Sequence, residues 1–158
     1  MNANYVFVAA VGIGFVAGLR TFTAPALVSW GAYLGAFQLH DSPLSFMGSS
    51  VAVALLSLLA IGEYIIDLMP KTPRRTKPGP LMARLATGGL SGACVCASAR
   101  QSLLVGAVLG AIGGVIGAFA GYEARTRLVS GLKVKDRFIA IPEDLVAIGL
   151  GYLMVFVR

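Results

Sequence analysis

The chain has 158 residues, of which 57% are hydrophobic and 13% charged, with a net charge of +6 and a mean hydropathy of +0.82. A soluble domain carries about 25% charged residues, so this composition excludes an ordinary water-soluble fold. It also makes a nucleic-acid-binding reading of the positive charge unattractive, because that reading needs a basic surface facing water.

The first apolar run, Tyr5 to Leu19, has no basic residue before it and no clear small-x-small cleavage site, so it reads as a retained membrane helix and not as a secretory signal. It carries Gly14 and Gly18 at a spacing of four, which suits close approach of another helix in lipid.

The run then passes into "GLRTFTAP". An arginine at mid-membrane costs about 2.5 to 3.5 kcal/mol on insertion scales. Arg20 should therefore face a partner or water. Pro25 has no N–H for the carbonyl of Thr21, which predicts a kink or break at Pro25. From Ala26 to Phe37 the apolar material continues as a half-helix, re-entrant or interfacial, anchored by Trp30 and Tyr33. Its N-terminal N–H groups, beside Thr23 and Arg20, would attract an anion. The segment Gln38 to Ser50 has His40 and Asp41 but no Lys or Arg, as expected of an external loop.

The second span, Val51 to Met69, ends in "GEYIIDLMP". Glu63 and Asp67 share a helix face at i and i+4. Together with Arg20, Thr21 and Thr23 they form the predicted solute-binding set, since carboxylates inside a membrane often handle protons or cations. Pro70 closes the helix, and "MPKTPRRTKPGP" reads as an extended basic linker that orients the chain and meets anionic lipid head groups.

The third span, Leu81 to Ala99, is built from small residues, including Gly88, Gly89 and Gly92, and reads as packed inside the bundle. Cys94 and Cys96 lie two apart, which suits neither a disulfide nor a metal pair. The fourth span, Leu103 to Tyr122, has two ladders of period four: Gly106, Gly110 and Gly114, then Gly113, Gly117 and Gly121. Each ladder makes a flat helix face, for packing within the protein or in a homo-oligomer. Arg84, Glu123 and Arg125 are expected at one depth as an ion-pair cluster. The last span, Ile139 to Val157, starts at "IPEDL", where proline suits a first turn and Glu143 and Asp144 suit the helix dipole.

Ten of the thirteen basic residues fall in two clusters: Lys71, Arg74, Arg75, Lys77 and Arg84, then Arg125, Arg127, Lys133, Lys135 and Arg137. Two spans separate them, so both lie on one side, the cytoplasm by the positive-inside rule. The expected architecture is an all-α polytopic transmembrane bundle of about five spans in one domain, residues 1–158. Its first helix is interrupted, with the N-terminus inside and the C-terminus outside. Short echoes between the first and fourth spans and between the second and fifth point to an inverted repeat, as in small transporters. No nucleophile and base stand together, so no enzyme is expected. Neither a cofactor nor a metal is expected, His40 being the lone histidine.

"GLR" near the end of the first span, "EYIIDLMP" closing the second and "PED" opening the last resemble a family of small multi-pass bacterial inner-membrane proteins classed as a domain of unknown function. Arg20, Glu63, Asp67, Pro70, Pro142, Glu143 and Asp144 carry the resemblance. It implies the architecture and no chemistry. The expected function is binding or transport of a small polar or charged solute. The competing reading is a non-catalytic accessory protein that packs against partner helices and anionic lipid.

Overall fold

The computed structural model describes residues 2–67, 77–132 and 137–157, all helical apart from short connections. The elements are α1 (Ala3–Leu19), α2 (Thr23–Tyr33), a 3-10 turn (Ser45–Gly48), α3 (Ser50–Asp67), α4 (Pro78–Ser98), α5 (Leu103–Leu132) and α6 (Arg137–Phe156). Among the described residues three helices, α3, α4 and α5, are long and apolar enough to cross a membrane, and α1 is a shorter apolar helix. Lys71, Arg74, Arg75 and most of the linker expected after Met69 lie outside the described residues, as do Lys133 and Lys135.

The core is a trio of α1, α4 and α5, and glycine sets its spacing. A Cβ on Gly14 would fall on the Gly110 backbone, and one on Gly18 on Gly114 and Ala118. Gly88 and Gly92 of α4 meet Gly110 and Gly106 in the same way, while Gly113 and Gly117 meet the backbone at Val11 and Phe15. Backbones that touch gain dispersion contacts along the whole seam, the main source of attraction between helices in lipid. Gly121 is buried farther along α5.

These contacts also fix direction. Residue numbers rise together in α1 and α5, so the two helices run parallel, whereas α4 runs against both. An inverted repeat pairing the first span with the fourth requires them antiparallel, and the bundle does not have that arrangement. The reason is α2, which the expected topology did not count as a pass. Thr23 of α2 meets Tyr64 of α3 and Trp30 meets Ser57, so α2 folds back from the end of α1 and runs antiparallel to α3. Its 11 residues cover about 16 Å, half the hydrocarbon thickness. The segment from Leu34 to Ser49 continues the return, with Phe37, Leu39 and Met47 buried and the Ser29 hydroxyl bonded to the Met47 carbonyl.

Both termini therefore lie at the same end. The Tyr5 hydroxyl donates to the Val157 carbonyl at 2.8 Å, which corrects the expected placement of the N- and C-termini on opposite sides. The segment 38–43 reaches the α4–α5 connection at that end, where Gln38, Asp41, Ser98, Arg100 and Gln101 line a cavity of 520 Å³.

Two further boundaries differ from expectation. The break comes at Arg20 to Phe22, before Pro25, which lies inside the first turn of α2; a first-turn residue needs no intrahelical N–H partner, so proline fits there. Likewise α6 starts at Arg137 and carries Pro142 inside it, so "IPEDL" is an interior stretch and not a helix start.

The glycine contacts yield a paired test. Gly110→Leu or Gly117→Leu should destabilise the fold by at least the 1 to 3 kcal/mol typical of overpacking, because backbone cannot give way as a side chain can. Gly62→Ala and Gly149→Ala, which meet nothing within 4 Å, should leave thermal stability unchanged or slightly raised. Thermal unfolding and size-exclusion chromatography in detergent would check this; equal behaviour of the two pairs would refute the seam.

Candidate functional site

Four helices, α3, α4, α5 and α6, bring ionisable side chains to one group around Arg20 in the break between α1 and α2. The last α1 hydrogen bond runs from the Arg20 N–H to the Val16 carbonyl at 2.8 Å. Arg20 itself is extended, with φ −138° and ψ 116°. A helix that stops here leaves carbonyls at its end and N–H groups at the next start without helical partners.

Both sets are met by charges from other helices. Arg84 of α4 donates Nη1 to the Gly18 carbonyl, a cation at a helix C-terminus. Glu63 of α3 accepts from the Thr21 N–H at 2.8 Å and from the Phe22 N–H at 2.9 Å, one on each carboxylate oxygen. The anion-attracting helix start expected beside Thr23 exists, then, and the protein's own Glu63 occupies it. Arg84 Nη2 stands 3.8 Å from Glu63 Oε1 and links the two caps electrostatically.

Arg20 is completely buried, and its guanidinium lies between two carboxylates. Nη1 is hydrogen-bonded to Asp67 Oδ2 of α3, and Nη2 is ion-paired with Asp144 Oδ1 of α6. The ring of Tyr64 lies under the guanidinium, 5.2 Å from Cζ to centroid, a cation–π distance. The Tyr64 hydroxyl shares a 2.8 Å hydrogen bond with the Thr23 hydroxyl. One turn separates Glu63 from Asp67 on α3, so the first reaches the start of α2 while the second reaches the end of α1. Glu143, adjacent to Asp144, points to α5 and stands 3.8 Å from Arg125 Nη1.

The predicted solute-binding residues Arg20, Thr21, Thr23, Glu63 and Asp67 are thus brought together, with Thr21 contributing its backbone N–H. Arg20 does not face open space beside Pro25; it faces carboxylates. Of the predicted ion-pair cluster, Arg84 and Arg125 sit in this network, but Glu123 does not. It pairs with Arg127 at 2.7 Å in the i,i+4 relation on the outside of α5, with side chains 56% and 78% exposed. Glu123 lies two residues before Arg125, nearly opposite on a helix, so it cannot join the same face.

Asp144, Glu143 and Tyr64 are the participants that sequence reasoning did not assign to the site. Adjacent acids in an apolar stretch are the signal that was available for the first two. The helix-start reading of "IPEDL" absorbed it. Cys94 and Cys96 are both buried and free, and among the described residues no group of His, Cys, Asp and Glu is arranged to hold a metal.

A buried pair broken on one side loses about 3 to 5 kcal/mol, because the remaining charge is left uncompensated. Arg20→Leu should therefore lower the unfolding temperature sharply. Adding Asp67→Asn and Asp144→Asn to the same chain should restore much of it. Thermal unfolding of the single and triple variants checks the assignment, and a triple variant no more stable than the single one would disprove it.

No curated protein and no solved structure matches the chain. Its apolar helices, together with the meeting of Arg20, Glu63, Asp67 and Asp144 at one buried network, describe a membrane-helix bundle. A family model matches residues 7–157, nearly the whole chain, and the protein belongs to the family described as Domain of unknown function (DUF4126).

Proposed function

We propose that the protein binds a small charged solute at the Arg20 network and carries it through the membrane. The observation that supports this reading is the interrupted helix. A chain that needs only to fold in lipid can pass from one helix to the next through a polar exposed turn, whereas this break buries Arg20 and has its freed backbone groups met one by one by charged side chains. Glu63 of α3 and Arg84 of α4 meet the backbone groups, while Asp67 and Asp144 meet the Arg20 side chain. Broken helices with charges at their ends are the usual construction of a solute site in a membrane carrier, and ionisable residues inside a membrane mark solute and proton paths by default.

The basic end, with Arg84, Arg125 and Arg127, is placed in the cytoplasm under the positive-inside rule. Both termini and the segment 38–43 then face outward across what we take to be the inner membrane. The basic residues at the cytoplasmic end suit contact with anionic lipid. No chemical step is assigned, because the network has no nucleophile with an attendant base.

The second reading, a structural or accessory protein, is favoured by α3. Among its residues only Val53 and Ala60 are buried, so the helix presents apolar side chains such as Leu55, Leu58, Ile61 and Ile65 outward, and a partner helix has room to pack there.

Flux into liposomes containing the purified protein separates the two readings. A panel of small cationic, anionic and zwitterionic solutes should include at least one whose uptake exceeds that of empty vesicles several-fold. Arg20→Leu should abolish that uptake, and Arg20→Lys should retain part of it, since the charge remains without the planar fork. No uptake of any solute by correctly folded protein would leave the accessory reading in possession.

A further inference from the structure

We propose that the solute is a small oxoanion which takes the place of Asp144 on Arg20, and that it binds together with one proton, received by Asp144. This rests on the reading of the Arg20 network as a solute site. A guanidinium offers five N–H donors in a rigid fork. In Arg20 the Nη1 corner is engaged by Asp67 in a proper hydrogen bond. Nε has no hydrogen-bond partner among the described residues and Nη2 meets only the Asp144 carboxylate, although the side chain has no exposure to solvent. Leaving a donor such as Nε buried and unmet is unfavourable.

Nε and Nη2 form the edge on which arginine takes a planar oxoanion with two parallel bonds. Asp144 touches only one corner of that edge. Its Oδ1 is ion-paired with Nη2 and leaves Nε without a partner. Asp144 thus resembles a tethered competitor, placed over an anion seat without filling it. It is also the wetter of the two carboxylates on Arg20, its side chain being 23% exposed against 12% for Asp67, so a proton from water reaches it more readily.

Charge requires the proton. Around Arg20 itself two carboxylates, Asp67 and Asp144, already face one guanidinium. An added anion deepens that imbalance in a poorly solvated place, which is strongly unfavourable. If Asp144 takes up a proton as the anion arrives, the total is unchanged. The carboxylate becomes a neutral acid, its hold on Nη2 lapses, and the anion accepts from Nε and Nη2. Among the described residues the charged and titratable groups facing Asp144 are Arg20 from the break, Asp67 and Tyr64 from α3, and Glu143 on its own helix, with Arg125 of α5 behind Glu143. Glu63 and Arg84 are bound to the helix ends and stay as they are.

Methanesulfonate is a suitable probe because it remains ionised at every accessible pH. Calorimetric titration of the full chain in nanodiscs, in buffers of differing ionisation heat, measures affinity and proton uptake together. The expected result is affinity rising about tenfold per unit fall in pH while Asp144 is ionised, with one proton taken up per anion. Asp144→Asn should bind the probe at all pH values with no proton uptake. If Asp144→Asn does not fold, proton uptake by the unaltered protein decides alone. Binding without proton uptake in the unaltered protein, or no binding by a folded Asp144→Asn variant, overturns the proposal. Uptake of a cationic or neutral solute that is lost in Arg20→Leu, with no methanesulfonate binding, overturns this inference and spares the solute-site reading; absence of all flux and all binding overturns both.

Discussion

A single positive charge in the middle of the chain's apolar material organises this protein. Arg20 ends α1, and it is fully enclosed, so the bundle must bring negative charge to it from elsewhere. Asp67 and Asp144 answer from α3 and α6. Because those carboxylates sit at the end of one helix and within another, the requirement sets the relative height of α3 and α6 against α1. The helix break that frees backbone groups near Arg20 imposes the same demand on Glu63 and Arg84, which registers α4 as well. Electrostatics here acts as an alignment device for helices whose outward faces would otherwise slide freely in lipid.

The packing is divided unevenly. The seam of α1, α4 and α5 is closed by backbone meeting backbone, a contact with two states, made or lost, and little between. By contrast α3 touches chiefly α2, while α6 rests on α1 and α2 with few contacts to α5. The two carboxylates on Arg20 therefore reside on the two least embedded of the long helices. A rigid trio carrying the guanidinium and two looser helices carrying the acids is an arrangement in which ion pairs can exchange without disturbing the core.

Much of this was legible in the sequence. Apolar runs located the long helices because twenty residues of hydrocarbon character have few other uses, and period-four glycines on the first and fourth runs marked the faces that now touch. Arg20, Glu63 and Asp67 were visible as charges in the wrong solvent. What the sequence did not disclose was direction. Pro25 drew attention to itself as a breaker, yet it sits comfortably in the first turn of α2, and the true break falls where Arg20 turns extended and long-range partners hold it. A short return helix of ordinary composition has no local signature that separates it from a lateral extension, so the parallel course of α1 and α5 emerged only from tertiary contacts. Asp144 was hidden for a similar reason: beside a proline, an acid pair suits a helix start equally well, and only the partner on another helix distinguishes the two roles.

The pairing of Arg20 with residues far along the chain bears on how the protein is made. Asp67 is 47 positions later, and Asp144 belongs to the last helix. A ribosome delivering this chain therefore presents the arginine to the membrane well before either counter-ion exists. Through that interval a hairpin of α1 and α2 with the Arg20 to Phe22 turn at its tip keeps the charge at lower cost in reach of water than in hydrocarbon. Arrival of α3 brings the first neutralising carboxylate, and synthesis of α6 brings the second. The neutralising charges thus become available in chain order, and the final helix carries the last of them.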